Sequence, residues 1–316
     1  MTTETQLATI TTTGLETTRR SQNPALVYLA GLSVTGRRSM KHRLETVSRL
    51  VAGTVDGFDW SSMRYEHVVA VRSRLSESGL SPASVNATLC AIRGVAREAW
   101  NLGLMSTDDY TRINGVKGLR SSRLPAGRML SPGEIGALFH ACRADKTAAG
   151  RRDAAILGLL LGAGLRRSEC AGLQLRDFNA EDGSLRVRGK GDKERLTYLN
   201  NGALDALLDW IAFRGSDDGP LLTRVSQRGM IQPEGLTDQA IYGALAKRAS
   251  EAEVAHFSPH DLRRTTASNL IDLTGDLSAV QALLGHASVV TTTRYDMRGE
   301  GAKKRAASAW HLPYRR

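Results

Sequence analysis

The stretch GSLRVRGKGDKERLTYL, Gly183–Leu199, changes period inside a chain that otherwise reads as helix. Leu185 and Val187 alternate with Arg186 and Arg188, which puts every second side chain on one face, as in a half-buried strand. Residues 189–193, GKGDK, supply turn residues, and RLTYL returns as a second strand. The stretch predicts a β-hairpin with a cationic tip at Lys190, with Lys193 and Arg195 close by and Arg188 on the first arm.

Helical patterns surround the hairpin. Downstream lie TDQAIYGALAKRASEA, SPHDLRRTTASNLIDLTG and DLSAVQALLG. Upstream, AAILGLLLGAGL (154–165) is too short to span a bilayer and predicts a buried helix. Ser131, Pro132 and Glu134 form a capping-box start for the same region. Residues 24–115 read as nearly all helical. In RRSMKHRLETVSRLV, Met40, Leu44, Val47 and Leu50 share one face, while Arg37, Arg38, Lys41, Arg43 and Arg49 occupy the other. SSMRYEHVVAVRSRLSESG and SPASVNATLCAIRGVAREAWNLG repeat the amphipathic pattern and stop at glycines. The fold class expected is mainly α with a small antiparallel β-sheet (α+β), in two domains. A Thr-rich tail covers 1–20, a helical domain 21–115 and a second domain 129–316. Between them VKGLRSSRLPAGR, 116–128, has linker composition and carries Lys117, Arg120 and Arg123.

Charge narrows the partner. The chain holds 43 Lys and Arg against 32 Asp and Glu, a net +11. Residues 1–128 carry 17 basic and 10 acidic side chains and the remainder 26 and 22, so a polyanion would be met by both domains. The N-terminus lacks the basic-then-apolar order of a secretory signal. Cys90, Cys142 and Cys170 have no metal-ligand spacing and are expected to be buried, reduced thiols of a cytosolic protein.

Chemistry-bearing residues recur along the second domain. His260 and Arg263 stand three apart at a Ser-Pro helix start, where backbone N–H groups favour an anion. Arg166 and Arg167 follow an apolar helix, with Glu169 placed to hold the Arg166 guanidinium. His286 follows Gly285, a helix-ending glycine, and Tyr295 comes nine residues later with no acid between them. Arg166, Lys190, His260, Arg263, His286 and Tyr295 together offer no carboxylate cluster for a metal. The set suits phosphoryl transfer by positioning and charge stabilisation, with a side chain as nucleophile.

The four stretches AGLRRSE, RGKGDKERL, SPHDLRRTTASNL and LLGHASVVTTTRY resemble, in order and spacing, the tyrosine recombinase or phage integrase family, of the Xer type. The resemblance spans about residues 20–310 and implies a two-domain DNA clamp, with a helical core-binding (SAM-like) domain and a catalytic domain. It implies that Tyr295 is the nucleophile and leaves a 3′-phosphotyrosine. It implies that Arg166 and Arg263 clamp the non-bridging oxygens, that His260 assists proton transfer, and that His286 holds the phosphate. Lys190 matches the lysine that protonates the leaving 5′-oxygen, and Glu169 matches the supporting acid. The Gly-Leu-Arg and His-x-x-Arg registers favour Arg166 over Arg167 and Arg263 over Arg264; Lys193 competes with Lys190. Arg37, Arg38, Lys41, Arg43, Lys117, Arg120, Arg123, Arg188, Lys193, Arg195 and Arg264 are the expected DNA contacts. No metal or other cofactor is implied. Two strand exchanges would pass through a Holliday junction, made by a homo-tetramer on two double-stranded sites, alone or with a second recombinase or accessory protein. The protein would be cytoplasmic and nucleoid-associated, with an exchange tail at 297–316. A type IB topoisomerase and a DNA-binding factor that has lost catalysis are the rivals. The helical domain with its tail disfavours the first, and the full set of six residues disfavours the second.

Overall fold

A computed structural model describes residues 23–51, 53–120, 127–189 and 194–285, Thr35 by its backbone alone. The tail 1–20, Arg123, Lys190, Lys193, His286, Tyr295 and the segment 297–316 lie outside the described residues. The chain divides into two compact units, Met1–Arg123 and Leu124–Arg316.

In the first unit α1 is Pro24–Ala30, α2 Val34–Leu50, α3 Tyr65–Glu77, α4 Pro82–Asn101 and α5 Thr107–Asn114, with a 3-10 turn at Trp60–Ser62. Helix starts are written locally. Ser33, Ser81 and Ser106 each accept the backbone N–H three residues on, which satisfies a donor that the first turn leaves orphaned. The core gathers on α4. Its Val85, Leu89, Ile92, Val95 and Ala99 pack with Leu44 and Val47 of α2 and with Val68, Val71 and Leu75 of α3. As expected, Leu44 and Val47 are buried and Met40 and Leu50 half-buried on one face of α2. Gly94 lets Tyr28 of α1 lie on α4, since a Cβ there would sit 2.3 Å from the ring. Among the described residues this unit has no strand.

The expected linker is anchored at its start. Asn86 donates to the Leu119 carbonyl (2.9 Å) and accepts from its N–H (2.7 Å), and Arg72 donates to the Lys117 carbonyl (2.9 Å). Residues 116–119 therefore extend the helical unit, because their backbone groups find partners on α3 and α4.

In the second unit α6 is Pro132–Ala144, α7 Ala148–Gly162 and α8 Arg167–Gly172, followed by a 3-10 turn at Leu175–Asp177. Then come β1 Ser184–Arg188, β2 Glu194–Tyr198, α9 Asn201–Arg214, β3 Thr223–Val225, β4 Ile231–Gly235, α10 Asp238–Glu251, α11 Pro259–Thr274 and α12 Leu277–Leu284. The apolar run is the central helix. Ala155, Ile156, Leu157, Leu159 and Leu160 of α7 are inaccessible, wrapped by residues of α6, α9 and α10. Ser131 caps α6 in a capping box with Glu134, as its sequence predicts. The hairpin forms with antiparallel register Ser184↔Tyr198 to Arg188↔Glu194; Leu185 and Val187 face inward and Arg186 and Arg188 outward. A second antiparallel pair, β3–β4, and helix α9 add to what the sequence predicts. Cys142 and Cys170 are buried, but Cys90 is exposed on α4, which corrects the expectation of three buried thiols.

One buried ion cluster fastens α10 to this core. Arg248, 1% exposed, donates to Asp153 (2.9 Å), Glu251 (2.7 Å) and Asp145 (2.6 Å). Despite the burial that opposes it, hydrogen bonds from Thr147 and Arg248 hold the Asp145 carboxyl down at about 2. No helix among the described residues is long and apolar enough to cross a membrane.

Candidate active site

Arg166 stands at the N-cap of α8, in the turn after the central helix. Its side chain is 44% exposed, and its Nη1 donates to Glu169 Oε1 at 2.6 Å. The Arg166 backbone N–H donates to the other oxygen of Glu169 at 2.9 Å, so one carboxylate fixes both the turn and the guanidinium. The Glu169 side chain is 4% exposed. It also accepts a two-pronged contact from Arg195, Nη1 to Oε1 at 3.0 Å and Nη2 to Oε2 at 2.8 Å. Burial alone would raise the Glu169 pKa. The Arg195 fork and the Arg166 N–H outweigh it and hold the carboxyl at about 2, ionised at any physiological pH.

Arg263 comes from α11 and is 2% exposed. Its guanidinium donates to the Gly164 carbonyl and, at 2.7 Å, to the Leu284 carbonyl. Arg166 Nη2 reaches the Gly285 carbonyl at 3.4 Å, and Arg195 Nε the Leu283 carbonyl at 3.2 Å. Arg166, Arg195 and Arg263, from three separate elements, thus converge on three successive carbonyls at the end of α12. Gly285 ends that helix in the left-handed region (φ +67°), as a C-terminal glycine does, and His286 is the next residue.

His260 is exposed on the first turn of α11, and its pKa is lowered, first by partial burial and then by the Arg263 and Arg264 charges. The shift favours the neutral imidazole. Beside the α11 N-terminus stands an acid that the sequence reading did not place there: Asp261 accepts from the Ser258 N–H and hydroxyl at 2.8 Å each and from the Arg128 N–H at 3.0 Å. The Ser-x-x-Asp capping box brings its own anion to the helix start. Arg128, last residue of the expected linker, also pairs with Glu134 at 2.7 Å and belongs to this unit.

The remaining expected contacts divide by exposure. Arg38, Lys41, Lys117, Arg120 and Arg188 are exposed. Arg37 is partly spent capping α1, donating to the Leu29 (3.0 Å), Ala30 (3.2 Å) and Leu32 (3.4 Å) carbonyls, and Arg43 donates to the Ser84 carbonyl at 3.2 Å. Arg264 is buried within α11, and the Arg195 side chain is 13% exposed, away from open solvent. Sequence reasoning placed neither Arg195 against Glu169 nor the α12 carbonyls in the site. Asp261 had a legible signal in its capping-box spacing. Among the described residues, no group of three His, Cys, Asp or Glu could hold a metal ion.

Residues 128–299 match the model of the phage integrase family. Tyrosine recombinase XerC of Corynebacterium efficiens is 32% identical over 276 residues, covering 85% of this chain and 83% of that protein. Tyrosine recombinase XerC of Pseudomonas putida is 34% identical over 242 residues, 75% of this chain and 77% of that protein. Among solved structures, XerH site-specific recombinase bound to palindromic difH substrate, in a post-cleavage complex, superposes with a TM-score of 0.66 at 22% identity, covering 88% of this chain and 80% of that one. A lambda integrase dimer bound to a COC′ core site gives 0.66 at 16% identity, over 87% and 93%. These structures share the fold. By the span of the family match and the identity to curated relatives, the chain belongs to the phage integrase family, the tyrosine-type site-specific recombinases.

Proposed function

We propose that this chain recombines double-stranded DNA at a specific site by cutting and rejoining its strands, with Tyr295 as the attacking group. The observation that carries the proposal is the convergence of Arg166 and Arg263 on the end of α12, from which the chain continues to His286 and Tyr295. Two guanidiniums ordered by a buried carboxylate and by backbone carbonyls are suited to hold the non-bridging oxygens of a phosphodiester as negative charge builds on them.

In the proposed step the Tyr295 phenol oxygen bonds to phosphorus, and the bond from phosphorus to the 5′-oxygen breaks. His260 takes the phenol proton, and Lys190 gives a proton to the departing 5′-oxygen. His286 holds the phosphate. The product is a 3′-phosphotyrosine and a free 5′-hydroxyl. The phosphodiester energy is kept in the adduct, so a partner strand's 5′-hydroxyl reverses the step without a cofactor. Two such rounds make and resolve a Holliday junction. The net +11 charge and the exposed Arg38, Lys41, Lys117, Arg120 and Arg188 support DNA as the partner. The solved relatives bound to a difH substrate and to a core site support it too. A homo-tetramer on two sites, alone or with a second recombinase or accessory protein, is the assembly such an exchange needs, and the setting is the cytoplasm, at the nucleoid.

The test uses duplexes selected from a randomised pool by retention on the protein, then nicked beside the selected segment so that the cut fragment diffuses away. Wild type should yield a protein–DNA adduct stable to SDS, with or without chelator, and Tyr295→Phe none. An adduct that persists in Tyr295→Phe would remove Tyr295 as the nucleophile.

A further inference from the structure

We infer that Arg195 is a positioning residue for the strand-cutting centre, setting the Arg166–Glu169 pair and the end of α12 in one arrangement. The inference rests on the proposed reaction and deepens it. Arg195 lies on β2, in a hairpin whose outward charges look made for DNA, yet its own donors are spent inside the protein. Nη1 and Nη2 hold the two oxygens of Glu169, and Nε donates to the Leu283 carbonyl.

That last contact completes a set. The final carbonyls of a helix have no intrahelical donor and carry its partial negative charge. Here Leu283, Leu284 and Gly285 each take an N–H from a different guanidinium, those of Arg195, Arg263 and Arg166 in that order. Arg195 is the one of the three that also grips Glu169 with both remaining nitrogens, and so joins the α8 turn to the α12 terminus. Gly285 records the same fit. A Cβ there would lie 2.7 Å from Arg195 Cδ and 2.9 Å from its Nε, so the residue before His286 is shaped to admit this side chain. A lysine keeps the charge but, as a point charge on a flexible stem, cannot hold two carboxylate oxygens and a carbonyl in one plane.

Arg195→Lys is therefore the informative change, read by the rate of adduct formation on the selected nicked duplexes, by DNA retention, and by hydrogen exchange. The rate should fall about 100-fold, the usual consequence of an ångström-scale misplacement of a catalytic group. Retention should stay within about 2-fold, since the charge remains and the group does not face solvent. Amides of α12 should exchange about 10-fold faster without DNA, as for one lost charge-assisted hydrogen bond, while those of α4 are unchanged. Unchanged rate and unchanged α12 exchange in Arg195→Lys would overturn the inference, as would a rate loss matched by an equal loss of retention, which would make Arg195 a phosphate contact. If wild type itself forms no adduct, the proposed reaction fails and takes the positioning role with it; a wild-type adduct with unchanged rate in Arg195→Lys removes the positioning role alone.

Discussion

Glu169→Gln tests the ordering of the site with a change of a single atom type. The carboxylate is nearly inaccessible and accepts four N–H donors, two from Arg166 and two from Arg195. Its pKa falls from 4.5 to about 2 on folding, which corresponds to roughly 3 kcal/mol of stability at neutral pH. Removing one partner of a buried charge pair costs about 3–5 kcal/mol, the same interaction measured from the other side and not an additional term. For a unit of this size, each kcal/mol moves the melting temperature by roughly 2–4 °C, so the variant should melt about 6–12 °C below wild type at pH 7. The sign of the pH dependence follows from the direction of the shift. The folded pKa lies below the unfolded one, so the contribution is complete above 4.5 and is lost as pH falls toward about 2. The assay is calorimetric melting of both proteins from pH 7 down to the lowest pH at which wild type still melts cooperatively. All other groups are shared and cancel in the difference. The gap should narrow below 4.5, where a protonated Glu169 comes to resemble glutamine. A gap that is absent at pH 7, or one that stays constant as the pH falls, would refute the assignment of Glu169 as the anion ordering two arginines.

Arg248→Ala leaves the buried Asp153 with Arg152 as its one remaining guanidinium and should destabilise the second unit by about 3 kcal/mol; DNA retention measured well below the new melting point should be unchanged. For His260, whose pKa lies below 6.5, adduct formation should fall as the solution is acidified through that lowered value, and the pH–rate profile of His260→Gln should lack this limb. Arg38→Ala, on the exposed face of α2, should weaken retention on all sequences alike and reduce the slope of log affinity against log salt by about 1, measured in a salt titration.

Local signals were legible and long-range ones were not. Ser131 with Glu134 and Ser81 with Pro82 announce α6 and α4 because a cap is made within four residues. The first hairpin shows itself because alternation and turn residues coincide at Ser184–Tyr198. Helix α9 hides because it buries only Leu207 and Trp210 and leaves Leu208 and Phe213 exposed, so no clean stripe forms. The β3–β4 pair is short, irregular in register and contains Pro233, each of which erases the strand pattern. In the site, Glu169 was readable as the partner of Arg166 because they stand three apart. Arg195 was not, because its partners Glu169 and Leu283 stand 26 and 88 residues away, and a basic residue on a hairpin carries no mark of whether it faces solvent.

That arrangement resolves a conflict built into any site that must bind phosphate. Guanidiniums must be held still, and the strongest holders are carboxylates, yet each carboxylate cancels a charge that the phosphate needs. Here a single buried carboxylate, Glu169, orders two guanidiniums at once, and Arg263 is fastened by the carbonyls of Gly164 and Leu284. A helix end carries only about half a negative charge, so carbonyl acceptors order a guanidinium while removing little of its field. The other buried acid nearby, Asp261, is turned to Ser258 and the Arg128 backbone. Arg166, Arg195 and Arg263 therefore keep a surplus of positive charge where α12 ends. The stretch from His286 to Tyr295 contains no acid that would subtract from it. In the proposed reaction, with the field kept and the guanidiniums fixed in advance, little reorganisation would be left to the moment of strand cutting, which is the condition under which electrostatic stabilisation of a phosphoryl transition state is most effective.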